Sequence, residues 1–264
     1  MRASAIFPTF RPMENNNRQG EVIYGRHPVV EAITAGLPVD KLWLQQGTRG
    51  EFEKEIRRLS KEWDIPVQFV PKEKLSKLAG GNNHQGIVGF LSIIGYQLLE
   101  DVLPAIYERS ETPLIVVLDH ITDVRNLGAI ARSASCCGAH ALVIPRKGGA
   151  LINAEAMKAS AGALARLPVC RVNSLVNAVE FLQQSGIQVL ASDLRATQLL
   201  HQLDLTGPTA LLLGAEGEGL HHSLSTRADQ QFRIPQLGDT ESFNVSVAAG
   251  IMLYESLRQR IIQG

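Results

Sequence analysis

The stretch Leu114-Ile115-Val116-Val117-Leu118, followed directly by Asp119, decides the fold of this chain. Five consecutive apolar residues without polar alternation are typical of a β-strand that is buried on both faces. Similar apolar segments recur toward the C-terminus and alternate with helix-like segments, which predicts an α/β fold with a mainly parallel sheet and helices on both faces. The further predicted strands are Ala141–Ile144, Val169–Val172, Gln188–Ala191, Ala210–Leu213 and Phe232–Ile234, and the predicted helices are Leu127–Cys137, Leu175–Gln184 and Ser246–Arg260.

Burial is also predictable at two places in this C-terminal part. In the last helix, Val247, Ile251, Tyr254, Leu257 and Ile261 recur at helical spacing, so we expect this face to belong mainly to the core. The three cysteines have no spacing typical of a disulfide framework or a metal site, and they are interpreted as small buried residues of a reducing compartment. They are Cys136, Cys137 and Cys170.

The N-terminal part repeats the alternation on a smaller scale. Residues 21–93 are predicted to form a small α/β domain, with helices near 28–35, 52–63 and 72–78 and strands near 41–44, 67–70 and 85–92. Residues 94–112 are predicted to be a connector helix, residues 113–264 the second domain, and residues 1–20 a disordered tail.

Charge and hydropathy exclude several classes of protein. The net charge is zero, and 26 Lys and Arg balance 26 Asp and Glu. No stretch has the length of a signal peptide core or a membrane span, so a cytoplasmic location without a membrane partner is expected. Cations gather in residues 54–61 and 72–77; they are interpreted as solvated helix faces, with contact to phosphate as the alternative.

Three loops that follow predicted strands contain unusual residues, and ligands bind beside such loops in parallel sheets. The first runs from Asp119 to Gly128 and enters a helix that bears Arg132 among small residues. Asn126 is interpreted either as the helix N-cap or as a site residue. Arg132 is either an exposed charge or the one long side chain that reaches a ligand, because its small neighbours allow another backbone or a ligand to approach closely.

The second and third loops also combine residues that favour a ligand site. Gly214-Ala215-Glu216-Gly217-Glu218-Gly219 contains three glycines after an apolar strand, which lets backbone approach a ligand. Its GxxGxG spacing differs from the GxGxxG of dinucleotide-binding loops, so a nucleotide-dependent oxidoreductase is a distant alternative. The third loop, residues 234–246, contains Ser242, Asn244 and Ser246, of which one can cap the next helix.

In order and spacing, these loops resemble the three signature motifs of the SpoU (TrmH-like) RNA ribose 2'-O-methyltransferases. Tyr24–Val29 and His84–Ile87 resemble the ribosomal-protein-like substrate-binding domain of the branch that methylates guanosine in 23S ribosomal RNA. The resemblance covers about residues 21–262, and it departs from the family at Phe243, where leucine or isoleucine is usual. The matching stretches are Asn126–Arg132, Leu213–Gly219 and Ile234-Pro235 with Glu241–Ala248.

The resemblance implies a SPOUT-type parallel sheet whose last elements form a deep trefoil knot. It also implies S-adenosyl-L-methionine as the methyl donor, RNA as a partner, a homodimer and no metal. The catalytic set that it implies is Asn126, Arg132, Glu216, Ser242 and Asn244. The residues that it implies for cofactor contact, largely through backbone, are Gly214, Ile234 and Phe243.

Methyl transfer to a ribose hydroxyl requires alignment of the reacting atoms and removal of a proton. Arg132 is predicted to act at the 2'-hydroxyl while it binds an adjacent phosphate. Because an arginine normally stays protonated, either the site perturbs it or it stabilises the alkoxide while phosphate or water takes the proton. Two alternatives stay open: the same chemistry on tRNA or another rRNA site, and an inactive RNA-binding or ribosome-assembly protein.

Overall fold

The computed structural model describes residues 22–215, 217, 219–239 and 241–263. The predicted tail, residues 1–20, lies outside the described residues. The described chain forms two β-sheets, one with four strands in its N-terminal part and one with six strands in its C-terminal part.

The N-terminal unit alternates strands and helices from residue 22 to residue 91. Its elements are β1 (Val22–Tyr24), α1 (Arg26–Thr34), β2 (Val39–Gln45), α2 (Glu51–Glu62), β3 (Val67–Val70), α3 (Lys72–Leu78) and β4 (Ile87–Leu91). The strand order is β1-β4-β2-β3, in which β2 and β3 are parallel and the other two pairs are antiparallel. The predicted elements are confirmed except that β1 was not expected, because three residues are too few to show a periodicity.

The C-terminal unit is a six-stranded sheet with helices on both faces. Its elements are α4 (Leu99–Glu108), β5 (Leu114–Leu118), α5 (Val124–Cys136), β6 (Ala141–Pro145), α6 (Ala154–Ala159), β7 (Val169–Val172), α7 (Leu175–Gln184), β8 (Gln188–Ser192), β9 (Thr209–Leu213), α8 (His222–Ser225), β10 (Gln230–Phe232) and α9 (Val245–Gln263). The strand order is β10-β8-β9-β5-β6-β7, and every neighbouring pair is parallel. The predicted α/β fold with a parallel sheet is confirmed.

Strand β5 lies at the centre of this sheet, and all five of its side chains are fully buried. Successive side chains of a strand point to opposite faces. Leu114, Val116 and Leu118 pack with residues of α5 and α9. Ile115 and Val117 pack with residues of α4 and α7. The unbroken apolar run therefore exists because this one strand supplies both hydrophobic cores.

Several expectations about the C-terminal unit need correction. Helix α6 was not predicted, because its six residues are too few and too small to show an apolar face. On α9, Val247, Tyr254 and Ile261 are 49%, 63% and 67% exposed, so the face that was expected in the core is largely uncovered. The core is contacted instead by the face that bears Ala249, Met252 and Leu253.

The cysteine prediction holds only in part. Cys170 is buried, and burial raises the pKa of its thiol to about 12, so this residue behaves as a small apolar side chain. Cys136 is exposed at the end of α5, against the expectation of burial, and Cys137 is half-buried.

The two units are joined by a polar contact at the amino ends of β2 and β3. Asp40, at the start of β2, accepts hydrogen bonds from the Arg171 guanidinium at 2.7 Å and from the Tyr96 hydroxyl at 2.8 Å. The Asp40 side chain is buried, and the Arg171 side chain is only 10% exposed. Just before β3, Asp64 pairs with Arg146 of the C-terminal unit. Removing one partner of a buried ion pair typically costs about 3–5 kcal/mol, so this contact fixes how the two units meet.

Candidate active site

The three unusual loops follow β5, β9 and β10 at the carboxyl edge of the six-stranded sheet. Strands β5 and β9 are direct neighbours, and β10 is the outermost strand next to β8. Because all these strands are parallel, their carboxyl ends lie on one edge, where polar groups gather beyond the buried core. This edge is the candidate active site.

Asp119 is the residue that ties the first loop to the second. The residue is 1% exposed, and its backbone N–H donates to the Leu213 carbonyl at 2.8 Å. One carboxylate oxygen accepts the backbone N–H of His221 at 2.9 Å, and the other contacts Nδ1 of His120 at 2.5 Å. Sequence reasoning did not assign Asp119 a role. The available signal was a carboxylate that directly follows a fully apolar strand.

The glycine-rich loop folds back on itself immediately after β9. The backbone N–H of Gly219 donates to the Ala215 carbonyl at 2.9 Å. A Cβ on Gly214 would lie 2.0 Å from the carbonyl carbon of Gly219, so only glycine fits there. Gly217 has a φ of +85° and Gly219 of +70°, values that favour glycine. The candidate Glu216 lies outside the described residues.

The first and third loops are joined by a pair of amides. The side-chain oxygen of Asn244 accepts the backbone N–H of Ser246 at 2.9 Å and the Ser246 hydroxyl at 2.6 Å, which caps α9. Because a backbone N–H can only donate, the other end of this amide is the NH₂ group. It donates to the side-chain oxygen of Asn126 at 3.2 Å. Two of the predicted site residues are therefore in direct contact.

Asn126 is not the N-cap of α5. The cap is Asp123, whose carboxylate accepts the backbone N–H groups of Arg125 at 2.7 Å and Asn126 at 3.2 Å. The Asn126 side chain is thereby left for the contact with Asn244. The interpretation of Asn126 as a simple helix cap is wrong.

Arg132 lies on the same helix as Asn126, six residues later, which is about 9 Å along the helix axis. Its side chain is exposed and forms no ion pair or hydrogen bond with any residue that the structure describes. Ser242 is half-buried, and its hydroxyl likewise has no hydrogen-bond partner in the described parts of the chain. The structure thus brings Asn126 and Asn244 together, whereas Arg132 and Ser242 have no side-chain partner among the residues that it describes.

The small residues of α5 serve close helix packing. A Cβ on Gly128 would lie 2.5 Å from the Ala159 Cβ and 2.7 Å from the Ala156 carbonyl oxygen, so α5 and α6 touch at this point. Near Arg132, Ser133 faces Gly250 of α9. The small residues of α5 were expected to admit either another backbone segment or a ligand, and the structure places neighbouring helices against them. This packing fixes the helix that bears Asn126 and Arg132.

A largely apolar cavity of about 510 Å³ opens between α9 and the loop after β10. Its walls include Ile234 and Pro235 of the third loop and Val247, Ile251 and Tyr254 of α9. Of the three residues predicted for cofactor contact, Ile234 is buried and lines this cavity. Gly214 and Phe243 do not line it, and the Phe243 ring is 40% exposed.

The described residues lack the features of two other classes of site. No group of three or more His, Cys, Asp or Glu side chains in the described ranges could hold a metal ion. No helix within the part of the chain that the structure describes is long and apolar enough to cross a membrane.

Comparison with known proteins gives two family matches. The model of the SpoU rRNA methylase family matches residues 113–254, and a model for RNA 2'-O ribose methyltransferase substrate binding matches residues 22–97. The chain is 39% identical over 248 residues to the 23S rRNA (guanosine-2'-O-)-methyltransferase RlmB of Pseudomonas aeruginosa, with 92% of this chain and 98% of that protein covered.

Two further relatives agree with these matches. The chain is 33% identical over 244 residues to the TrmH family tRNA/rRNA methyltransferase YacO of Bacillus subtilis, with 92% of this chain and 98% of that protein covered. The solved structure of the SpoU methyltransferase AviRb from Streptomyces viridochromogenes, in complex with AdoMet, matches with a TM-score of 0.58 and 27% identity, covering 91% of this chain and 90% of that one.

A parallel α/β sheet with these three loops, preceded by a substrate-binding unit, defines an RNA-modifying methyltransferase. The chain belongs to the SpoU (TrmH) family of RNA methyltransferases.

Gly214→Ala tests the close packing of the glycine-rich loop. A Cβ within 2.2 Å of three backbone atoms forces Gly219 and Leu220 to move, and such overpacking typically costs about 1–3 kcal/mol. We expect the free energy of unfolding, measured with urea and circular dichroism, to fall by that amount. The control is Gly207→Ala, where a Cβ meets no atom within 4 Å; it should change stability by no more than about 1 kcal/mol. Equal stability of the two variants would contradict the described loop.

Proposed function

We propose that this chain methylates the 2'-hydroxyl of a ribose in RNA with S-adenosylmethionine as the methyl donor, and that its target is a guanosine of 23S ribosomal RNA. The observation that carries the proposal is the hydrogen bond between Asn126 and Asn244. It joins the third motif to the first motif, whose helix also bears the exposed Arg132. The choice of 23S rRNA is supported by the similarity to the Pseudomonas aeruginosa relative over 98% of that protein. A ribosomal RNA target would place the chain in the cytoplasm.

The residues predicted for the cofactor suit S-adenosylmethionine. The loop from Gly214 to Gly219 has backbone at its surface, since two of its glycines are exposed and the first has no room for a side chain. Ile234 and Phe243 add apolar surface, so backbone groups and apolar walls are available for an adenosine. The bound AdoMet of AviRb supports this assignment. S-adenosylmethionine supplies a methyl group on a sulfonium, which an oxygen nucleophile can attack.

The side chains of this chain have separate tasks in the proposed reaction. The Arg132 guanidinium stays charged and can bind a phosphate with two parallel hydrogen bonds. We therefore assign it to holding the RNA backbone and stabilising negative charge on the 2'-oxygen, while phosphate or water takes the proton. Asn126 and Asn244 hold the loops, Ser242 offers its hydroxyl to the ribose, and Glu216, as in the family motif, orients the arginine or the loop backbone.

A homodimer would complete the surface around this site. Val247, Tyr254 and Ile261 form an exposed apolar face on α9, and the cavity of about 510 Å³ lies beside it. Apolar faces of this kind are typical of subunit interfaces. The family implies a second copy as the occupant, and we propose that α9 packs against it.

The family's deep trefoil knot is supported by the contacts of residues 193–208, the long segment between β8 and β9. Leu200 and Gln198 exchange backbone hydrogen bonds with Arg233, just after β10. Farther along the same segment, Gln259 of α9 donates to the Leu203 carbonyl at 3.0 Å. Arg233 before the third loop and Gln259 after it therefore both contact this segment. A chain that threads through the segment must contact it on both sides in this way. We propose that residues 233–263 pass through it.

Arg132 variants test the catalytic assignment. Arg132→Ala should lower the rate of methyl transfer by about 100-fold or more, a typical effect of losing one group that stabilises developing charge. Arg132→Lys should restore only part of the rate, because an ammonium cannot form two parallel bonds to a phosphate. The control is Arg109→Ala, which removes an exposed arginine after α4, at the opposite edge of the sheet. A fully active Arg132→Lys enzyme would exclude any role that needs the planar guanidinium.

Tyr254→Glu tests the dimer. A carboxylate on the exposed face of α9 should be costly to bury in an interface, so the variant should become monomeric at micromolar concentration. Light scattering after gel filtration should then give 28.8 kDa, against twice that mass for the unmodified protein. Leu98→Glu is the matched control, since Leu98 is also 63% exposed, and it should stay dimeric. An unmodified protein that is monomeric and fully active would overturn the dimer.

The whole proposal is tested by transfer of a labelled methyl group from S-adenosylmethionine to RNA. The RNAs are large-subunit, small-subunit and transfer RNA purified from a strain that lacks the gene, and ribose methylation is mapped afterwards. We expect label on one guanosine ribose of large-subunit RNA. Label on transfer RNA alone would keep the reaction and overturn the target. No label on any RNA, together with no cofactor binding, would support an inactive RNA-binding protein instead.

A further inference from the structure

The N-terminal unit contains a polar groove that the reaction at the six-stranded sheet does not use. The groove has a volume of about 740 Å³ and lies where β2 and β3 end and where β4 begins. Arg26 and Gln85, from the two N-terminal motifs singled out in the sequence, meet in it. The Arg26 backbone N–H donates to the Gln85 side-chain oxygen at 2.9 Å, and the Arg26 Nε donates to the Gln85 carbonyl at 3.4 Å.

The floor of this groove is held by hydrogen bonds around His84. His84 is buried, and its Nδ1 accepts the Gly86 backbone N–H at 3.0 Å. Since Nδ1 accepts a hydrogen bond, the ring proton is on Nε2, which faces the Ser76 hydroxyl at 3.1 Å. Gln85, with a φ of +50°, is thereby held with its side chain exposed at the groove. The arrangement presents a fixed amide and does not depend on a ligand.

The charge of the groove is positive. Arg26, Arg49 and Lys72 line it, and its lining includes no Asp or Glu. None of these three cations forms an ion pair within the described residues. The guanidinium of Arg26 is held over the Phe52 ring at 4.4 Å.

The cations of α2 differ from those of the groove. Lys54 pairs with Glu51, Arg57 with Glu53 and Arg58 with Glu62. The possible phosphate contact of residues 54–61 is therefore not favoured by the structure, because acidic neighbours already neutralise most of these charges. Unpaired positive charge in this unit is available at the groove instead.

We propose that this groove binds a single-stranded segment of the substrate RNA, which rests on the function proposed above. Arg26, Arg49 and Lys72 contact phosphates, since arginine and lysine are the side chains that bind them best. Exposed amides of Gln46 and Gln85 read the edge of an unpaired base, which sequence-specific RNA recognition requires. The volume is sufficient for a nucleotide.

The groove and the methyltransferase unit lie at opposite ends of the same strands. Asp40 and Asp64 contact the C-terminal unit at the amino ends of β2 and β3, whereas Arg49 and Lys72 follow the carboxyl ends. A strand of seven residues spans about 20 Å. The groove therefore contacts RNA away from the reacting ribose, and it should govern affinity and target choice without affecting the methyl-transfer step.

The test is the double variant Arg49→Ala/Lys72→Ala in the full-length protein. We expect the Kd for large-subunit RNA, measured by filter binding, to rise about tenfold or more. The slope of log K against log salt should become shallower by about 0.7 for each lost phosphate contact. The single-turnover methylation rate at saturating RNA should stay within about twofold. The matched control, Arg57→Ala/Arg58→Ala, removes the same charge from paired positions of α2 and should leave all three quantities nearly unchanged.

Gln46→Ala tests base reading separately, because its side chain forms no hydrogen bond within the described residues. It should lower the preference for target RNA over unrelated RNA of equal length and leave the salt slope unchanged. An unaltered preference would overturn the base-reading role. If the Arg49→Ala/Lys72→Ala protein binds RNA as tightly as the control variant does, the groove has no role in RNA binding. If the unmodified protein neither binds nor methylates RNA, the failure lies with the proposed function.

Discussion

Complete burial of the central strands is the constraint on which the rest of the structure depends. With β5 and β9 covered on both faces, the one polar side chain within them is that of Thr209 at the start of β9, whose hydroxyl donates to the Gly207 carbonyl, and chemistry is confined to the strand ends. Asp119 is the first polar residue after β5, and its carboxylate binds the backbone that follows the glycine-rich loop of β9. The same arrangement that shields the core therefore sets the position of the loops that form the site.

Small residues produce the close packing around this edge. Gly128 lets α5 touch α6, Gly214 lets its loop fold back on Gly219, and Gly250 lets α9 approach Ser133. The first two contacts involve backbone atoms, so their geometry varies little with side-chain motion, whereas Gly250 faces the Ser133 hydroxyl. Asn126 and Asn244 lie on elements that are held in this way, which explains how two neutral amides from distant parts of the chain stay within 3.2 Å of each other.

Sequence periodicity predicted the elements that have enough residues to show it. Strand β5 was identified from its unbroken apolar run and α2 from its spaced apolar residues, and both were confirmed. Helix α6 and strand β1 were missed, because six and three residues contain too little pattern. The face of α9 was assigned to the core wrongly, since spacing shows that residues share a face but not what covers that face.

The sequence predicted which loops form the candidate site, but it did not predict the side-chain contacts between those loops. Glycine spacing located the loop after β9, but no pattern in the sequence shows that Asn126 faces Asn244. Asn126 was left open as either the N-cap or a site residue, because Asp123 and Asn126 are both good caps and only the backbone geometry decides between them. Asp119 was passed over, since one carboxylate after a strand has many possible partners.

The buried pair of Asp40 and Arg171 has a consequence for the shape of RNA that this protein can use. The two units can part only if the pair of Asp40 and Arg171 and the pair of Asp64 and Arg146 both break. We therefore expect the RNA-binding groove and the active site to keep a fixed separation. A ribose is a candidate substrate only if the folded RNA holds it at the distance and angle that this separation sets. Two RNA sites with identical local sequence can therefore differ completely as substrates.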